Sequence, residues 1–140
     1  MKNLYRDFLI IILINSVFIV ARAQNLSGKW KLIEAKQNGK AVDLGREIKT
    51  NLIFGDENRI SGNGGCNRYS STYKLESKNE IKFAPVISTR MACLENNLMS
   101  LEQTFFEVLG KTEKYQVKGK YLIFSDKAKK NVLRFVKVEK

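Results

Sequence analysis

The sequence predicts a mainly β protein, an antiparallel barrel or sandwich of about eight short strands with one amphipathic helix. Three observations support this class. Apolar and polar residues alternate along most of the chain, turn signals recur about every 8–12 residues, and a single segment repeats its apolar residues at helical spacing. Because the strands do not alternate with helices, a doubly wound parallel sheet is not expected.

The first half of the chain has the pattern of consecutive hairpins. Residues 26–32 alternate small or apolar side chains with polar ones, which is typical of a strand with one wet face. The turn signal Asn38-Gly39 follows, and residues 48–61 form a second alternating unit that the polar residues 55–58 interrupt. Asn63-Gly64-Gly65 ends that hairpin.

Five more strands are expected after this break. They cover residues 69–75, 81–83, 115–117, 121–124 and 132–138. Pro85 has no N–H to donate to a ladder, so it marks the end or the edge of a strand.

One segment, residues 94–109, has helical spacing instead. Its apolar residues recur at steps of three and four and form one stripe: Leu94, Leu98, Leu101, Phe105 and Val108 with Leu109. Gly110 stands where a C-terminal cap is expected. We expect this helix to cover an open end of the barrel.

The N-terminal residues 1–23 have the three zones of a secretory signal peptide. A basic start precedes an apolar run of 13 residues, Phe8 to Val20, and the small-x-small sequence Ala21-Arg22-Ala23 predicts cleavage before Gln24. The alternative is a retained membrane anchor, for which the run is short, since a spanning helix needs about 20 apolar residues. We therefore expect an exported protein in the periplasm or cell envelope, or secreted, with residues 24–140 as a single domain.

The composition excludes several classes of function. The chain has 140 residues, 25 Lys and Arg against 14 Asp and Glu, and no histidine, so His-dependent nucleophiles and His-liganded zinc cannot form. Removing residues 1–23 leaves a formal charge of +9. No enzyme activity, catalytic residue, cofactor or metal is expected. The lysines are spread along wet strand faces without an aromatic-interleaved motif, which argues against nucleic acid but allows weak attraction to an anionic envelope surface.

The two cysteines, Cys66 and Cys93, form an even pair in an exported chain, which favours a disulfide. Closing the loop between them stabilises the fold by about 3–4 kcal/mol on the chain-entropy model. Two buried free thiols remain the alternative, because spacing alone does not show that the Cα atoms come within bonding distance.

Several segments together resemble the META domain family of HslJ-like bacterial envelope proteins: residues 26–32, 60–69, 88–93, the helix with Glu102, and the hairpin 115–122. The positions that match the family motif are Gly28, Trp30, Gly62, Gly65, Asn67, Tyr73, Thr89, Arg90, Met91 and Glu102. The resemblance implies a lipocalin-like β-barrel with a packed helix, an envelope location and an association with stress tolerance. It implies no catalytic residue. Ser71 departs from the pattern, because family members usually carry glycine there.

Two groups in these motifs have structural and functional interpretations. The glycines at 62, 64 and 65 predict a turn that needs positive φ, with Asn67 bonding its own loop backbone, rather than a phosphate loop, because no helix follows. Arg90 is expected to pair with Glu102 or with loop carbonyls and so to pin the disulfide region; gripping a carboxylate or phosphate is the alternative.

The main hypothesis is a non-enzymatic exported domain that acts as a binding or stabilising module of the cell envelope, as a monomer or weak oligomer, on an unknown protein or small ligand. One alternative is a carrier of a small apolar ligand inside the barrel, lined by Phe54, Tyr69, Tyr73 and Phe83. The other is an inhibitor of an envelope protease or lytic enzyme, presenting rigid loops.

Overall fold

Ten strands and one helix make up residues 25–139, the part of the chain that the computed structural model describes. The strands are β1 (Gly28–Gln37), β2 (Lys40–Ala41), β3 (Asn51–Phe54), β4 (Arg59–Asn63), β5 (Arg68–Ser77), β6 (Glu80–Phe83), β7 (Ile87–Ser88), β8 (Lys114–Lys118), β9 (Tyr121–Ser125) and β10 (Val132–Lys137). The helix α1 spans Asn96–Gly110. The predicted signal peptide, residues 1–23, lies outside the described residues.

Eight of these strands close into an antiparallel barrel. Neighbouring strands pair in the order β1, β3, β4, β5, β6, β8, β9, β10, and β10 pairs back onto β1. The two remaining strands are short: β2 forms a hairpin with β1, and β7 pairs with β5. The predicted barrel with one packed helix is confirmed. Closure removes the free edges that an open sheet of this length would expose.

The strand pairing is shortest between β6 and β8. A single residue pair, Glu80 with Lys114, joins them, and the Lys114 ammonium contacts the Glu80 carboxylate at 2.6 Å. The hydrogen bond from Lys114 lowers the pKa of Glu80 below its usual range. Because β8 leaves β6 after this pair, the rest of β6 pairs within the described residues with β5 alone, as does β7, and β6 also contacts α1.

Side chains fill the barrel interior. Trp30, the single tryptophan, is fully buried, and its indole N–H donates to the carbonyl of Leu26 at 2.9 Å. A run of edge-to-face aromatic contacts crosses the core, with ring centroids 5.2 Å apart for Phe83 and Phe124 and 5.6 Å apart for Phe124 and Phe135. These rings belong to the side chains that point inward in the alternating pattern from which the strands are predicted.

The helix α1 packs on the barrel, where it contacts β1, β6 and β10. Its buried face consists of Leu101, Phe105, Val108 and Leu109. Near its C-terminus the Glu107 carboxylate accepts a 2.6 Å hydrogen bond from the Gln37 amide at the end of β1. Closer to its N-terminus Glu102 contacts the loop between β4 and β5.

Both ends of α1 differ from the prediction. Leu94 belongs to the predicted apolar stripe, yet it is fully exposed and precedes the helix. It lies between Cys93, which is bonded to Cys66, and Glu95, which is extended (φ −92°, ψ 106°). Gly110 is the last helical residue and Lys111 is the cap, in a right-handed conformation. The Thr112 hydroxyl donates to the carbonyl of Val108 at 3.1 Å, so this end does not use a glycine in positive φ.

Candidate functional site

The predicted disulfide is present and joins two segments beside the helix. Cys66 and Cys93 are bonded, with their Cα atoms 6.0 Å apart. Neither cysteine of the described residues is free. The bridge fastens the loop between β4 and β5 to the segment that leads into α1, so the loop and the start of the helix cannot separate.

Glu102 is a second link between the same loop and α1. Its carboxylate is buried, with 7% of the residue exposed. One oxygen accepts the backbone N–H of Cys66 at 3.0 Å and that of Asn67 at 2.5 Å, and the other accepts the Asn67 side-chain amide at 2.7 Å. Hydrogen bonds to a carboxylate are among the stronger ones in proteins, so this contact holds the loop firmly against the helix.

Asn67 extends this network to a third segment. Its side-chain oxygen accepts the Thr89 hydroxyl at 3.0 Å and the Met91 backbone N–H at 2.7 Å. The expectation that Asn67 bonds its own loop holds for its backbone carbonyl, which accepts the Gly64 N–H at 2.8 Å, but is wrong for its side chain, whose partners lie more than twenty positions away. The local role belongs to Asn63, whose side chain accepts the Gly65 N–H at 2.7 Å.

The three glycines of the loop serve two different needs. Gly65 has a φ of +131°, as the predicted turn requires. Gly62 and Gly64 instead allow close approach: a Cβ at Gly62 would overlap the carbonyl oxygen of Asn51, and one at Gly64 would lie 2.9 Å from the Cγ of Glu102. The glycine-rich loop is therefore packed against the barrel and the helix.

Arg90 does not have the contacts predicted for it. The side chain is exposed, and among residues 25–139 it forms no ion pair, with Glu102 or with any other carboxylate, and no hydrogen bond to a loop carbonyl. The reason is that backbone and amide N–H groups already occupy the buried Glu102 carboxylate. The guanidinium is left at the surface, on the wall of a groove.

That groove lies between α1 and residues 83–92 and has a volume of about 1050 Å³. Its apolar lining includes Phe83, Val86, Met91, Met99 and Phe106. Met91 is 60% exposed and Met99 is 47% exposed, and they lie on opposite walls. Five of the ten family-motif positions also line it: Asn67, Thr89, Arg90, Met91 and Glu102.

The remaining motif positions support the barrel. Gly28 begins β1 with a φ of +100°, and the Trp30 ring packs under the Lys137 ammonium at 5.1 Å. Tyr73 lies between Phe54 and Phe83, with ring centroids 5.1 and 6.5 Å away. Gly62 and Gly65 shape the loop described above. These residues are structural and do not line the groove.

Sequence reasoning missed the helical wall of the groove. Met99 and Phe106 stand beside the predicted apolar stripe, and only their position next to residues 83–92 gives them a role. Ser71, the departure from the usual glycine, is buried in β5 and donates to the Ala84 carbonyl at 2.7 Å. This bond fastens the start of the other wall to the barrel.

Tyr69, whose ring contacts Phe106 of the groove wall, has a structural role. The Tyr69 hydroxyl donates to the Asn51 carbonyl at 2.9 Å, and burial raises the pKa of this phenol. Within residues 25–139 no three His, Cys, Asp or Glu side chains are grouped so that they would hold a metal ion. In the same residues no helix has the length and apolar character needed to span a membrane.

Fold and site together define a small closed antiparallel barrel that one helix covers, with a disulfide-braced groove at the helix. The family model described as the META domain matches residues 24–139, so the chain belongs to the META domain family. A search among curated proteins found no match.

Solved structures share this fold. An NMR structure of a protein from Burkholderia xenovorans is 22% identical, with a TM-score of 0.66 over 81% of this chain and 83% of that one. A second NMR structure is 27% identical, with a TM-score of 0.55 over 78% and 87%. The crystal structure of a DUF4847 family protein from Bacteroides vulgatus is 14% identical, with a TM-score of 0.58 over 81% and 94%.

Proposed function

We propose that this protein is an exported, non-enzymatic binding module of the cell envelope and that it binds its partner in the groove beside α1. The observation that carries the proposal is an apolar groove with an exposed methionine on each wall, Met91 and Met99. Exposed apolar surface that is continuous, rather than scattered, marks interaction sites in soluble domains. The stress association implied by the family resemblance is part of the same proposal.

The walls of the groove are held in place before any partner binds. The Cys66–Cys93 bridge, the buried Glu102 carboxylate and the Asn67 amide join the two walls to the barrel. A preformed site avoids the ordering cost that a mobile loop incurs on binding. The disulfide and these hydrogen bonds, which fix the walls of the groove, support a role in recognition.

Two features support export and the lack of catalysis. A disulfide persists in an oxidising compartment, which agrees with the predicted signal peptide. The buried polar side chains at the groove, Glu102 and Asn67, use their hydrogen-bonding atoms to hold the loop, so neither is available as a general base or nucleophile.

The test is capture of partners from an envelope extract on the immobilised mature protein. We expect Met91→Arg and Met99→Arg to abolish capture, whereas Leu75→Arg is a matched control, because Leu75 is as exposed as Met99 (47% each) but does not line the groove. Capture that survives both groove variants would refute the assignment of the site. Robust turnover in a hydrolase substrate screen would refute the non-enzymatic function.

A small apolar ligand is the second candidate. The volume of about 1050 Å³ matches the upper range of ligand pockets, ~300–1,000 Å³. Tyr73 packs against Phe54 and Phe83, and Tyr69 packs against Phe105 of α1, so a ligand would occupy the groove rather than the barrel interior. A captured protease or lytic enzyme that loses activity on binding would instead identify the module as an inhibitor.

A further inference from the structure

We infer that the groove accepts an extended, apolar segment of another protein, which adds to β7 as a further strand and places an acidic group at Arg90. The inference rests on the proposed function, since it specifies what occupies the same groove. It follows from three observations: the free edge of β7, the apolar wall opposite that edge, and an arginine without an ion pair.

The strand β7 is a sheet edge that faces the groove. Among the described residues it pairs with β5 alone, through Tyr69 with Ser88 and Ser70 with Ile87. The backbone N–H of Thr89 donates to the Arg68 carbonyl at 3.1 Å. In an antiparallel ladder hydrogen-bonded and non-hydrogen-bonded pairs alternate, so Ser88 directs its N–H and carbonyl away from β5.

Ser88 lines the groove, and among residues 25–139 no other strand pairs with β7 on the side to which these two groups point. An extended segment that lies along β7 would bond to both of them. This is strand addition to an exposed edge, in which backbone hydrogen bonds provide affinity for any peptide of suitable shape. The closed barrel leaves few edges of this kind, so the exposed one at β7 stands out.

The opposite wall fits the side chains of such a segment. Alternate side chains of a strand point to the same face, so every second residue of the added segment would enter the apolar groove. There it would meet Met99 and Phe106 of α1 and Met91 and Val86 of the other wall. Methionine side chains adapt to differently shaped apolar partners, which suits a site that accepts more than one sequence.

The charge of Arg90 predicts an acidic group at one end of the bound segment. Arg90 is exposed on the groove wall and has no ion pair among residues 25–139. The groove carboxylates already accept hydrogen bonds, Glu102 from Asn67 and Glu107 from Gln37. A guanidinium binds a carboxylate through two parallel hydrogen bonds, so an acidic side chain or a chain terminus is expected there.

A protein segment fits these observations better than a lipid does. An acyl chain would fill the apolar surface but would leave the N–H and carbonyl of Ser88 without partners. A peptide satisfies the apolar surface, the strand edge and Arg90 together. The experiment that distinguishes a peptide from an acyl chain therefore asks whether binding requires the backbone amides of the ligand.

The test selects ligands from a phage-displayed library of random twelve-residue peptides on the mature, disulfide-bonded protein. Counter-selection uses the Met91→Arg, Met99→Arg double variant. The expected peptides carry apolar residues at alternate positions and an acidic group at one end. The best peptide is then synthesised unmodified and with its alternate backbone amides N-methylated, in the two possible phases. One phase should bind about tenfold more weakly or worse, since it removes the donors to β7. Equal binding of all three peptides would overturn strand addition.

Variants of the protein give an independent measurement. Ser88→Pro removes the N–H that faces the groove and is expected to weaken peptide binding about fivefold to tenfold, whereas Ser88→Ala, which keeps it, is expected to change binding less than about twofold. Arg90→Gln should cost about fivefold or more. If Ser88→Pro fails to fold, as judged by near-ultraviolet circular dichroism, the N-methylated peptides still decide the question.

The same samples separate failure of the inference from failure of the proposed function. If no peptide is enriched but dodecanoate perturbs the amide resonances of residues 83–92, the groove binds apolar ligands and only the peptide inference is wrong. If neither the library nor dodecanoate binds, and capture from the extract is also unaffected by the groove variants, both are wrong.

Discussion

The contact that most directly tests the structure is the buried carboxylate of Glu102. We predict that Glu102→Gln destabilises the domain although the side chain keeps its size. In the folded protein one carboxylate oxygen accepts the N–H groups of Cys66 and Asn67, and the other accepts the Asn67 amide. A glutamine retains a single acceptor oxygen and places its own N–H₂ group where the second oxygen was.

The magnitude follows from which bond is lost. The glutamine oxygen can replace the oxygen that accepts the two backbone N–H groups, and its N–H₂ group then faces the N–H₂ group of Asn67. Asn67 cannot reverse its amide, because its oxygen already accepts the Thr89 hydroxyl and the Met91 N–H. One charge-assisted hydrogen bond is lost and a buried donor is left unsatisfied, which predicts a loss of about 2–4 kcal/mol in the free energy of unfolding.

Urea unfolding followed by the fluorescence of Trp30 measures this loss, because Trp30 is the single tryptophan and is fully buried. Glu107→Gln is the matched control on the same helix, where the residue is exposed, and is expected to change stability by less than about 0.5 kcal/mol. If Glu102→Gln is no more destabilising than Glu107→Gln, the network described for the groove does not stabilise the fold, and the reasoning fails.

Three further predictions concern two glycines, the loss of stability on acidification, and the disulfide. Gly62→Ala should destabilise by about 2 kcal/mol or more, since its Cβ overlaps backbone, whereas Gly110→Ala, with open space and no positive φ, should stabilise by up to about 1 kcal/mol; urea midpoints decide both. Burial acts to raise the pKa of Asp126, but hydrogen bonds from Asn131 and Lys130 outweigh it and lower the pKa. The ionised carboxylate therefore stabilises the fold above its ordinary pKa, and this contribution is lost on acidification. Between about pH 6 and pH 3 the urea midpoint of Asp126→Asn should fall less than that of the unmodified protein. Reduction of the Cys66–Cys93 bridge should cost about 3–4 kcal/mol, and an unchanged midpoint under reductant would contradict its bracing role.

The strands of the barrel were predictable because their signal is local. Alternate side chains of a strand point to opposite faces, so the order of Trp30 and Leu32 between lysines already separates core from solvent. The helix was predictable for the same reason, from the spacing of Leu101, Phe105 and Leu109. Its start was not, because the stripe continues to Leu94, which is exposed and lies next to the bonded Cys93.

The groove was beyond such reasoning, because its parts come from segments far apart in the chain. Glu102 meets Asn67 across 35 positions, and Asn67 meets Met91 across 24. A polar residue has many partners of similar chemistry, and local pattern does not say which one the fold brings near it. The prediction that Arg90 pairs with Glu102 failed on this point.

The sequence by itself therefore determined which side chains face inward, where the turns fall, and that two cysteines were available to bond. Only the tertiary structure decided that the barrel closes, that β8 leaves β6 after one pair, and that β7 and α1 face each other across an apolar groove. The physical reason is that burial patterns repeat every few residues, whereas a site forms where distant segments meet, and that meeting is set by the packing of the whole chain.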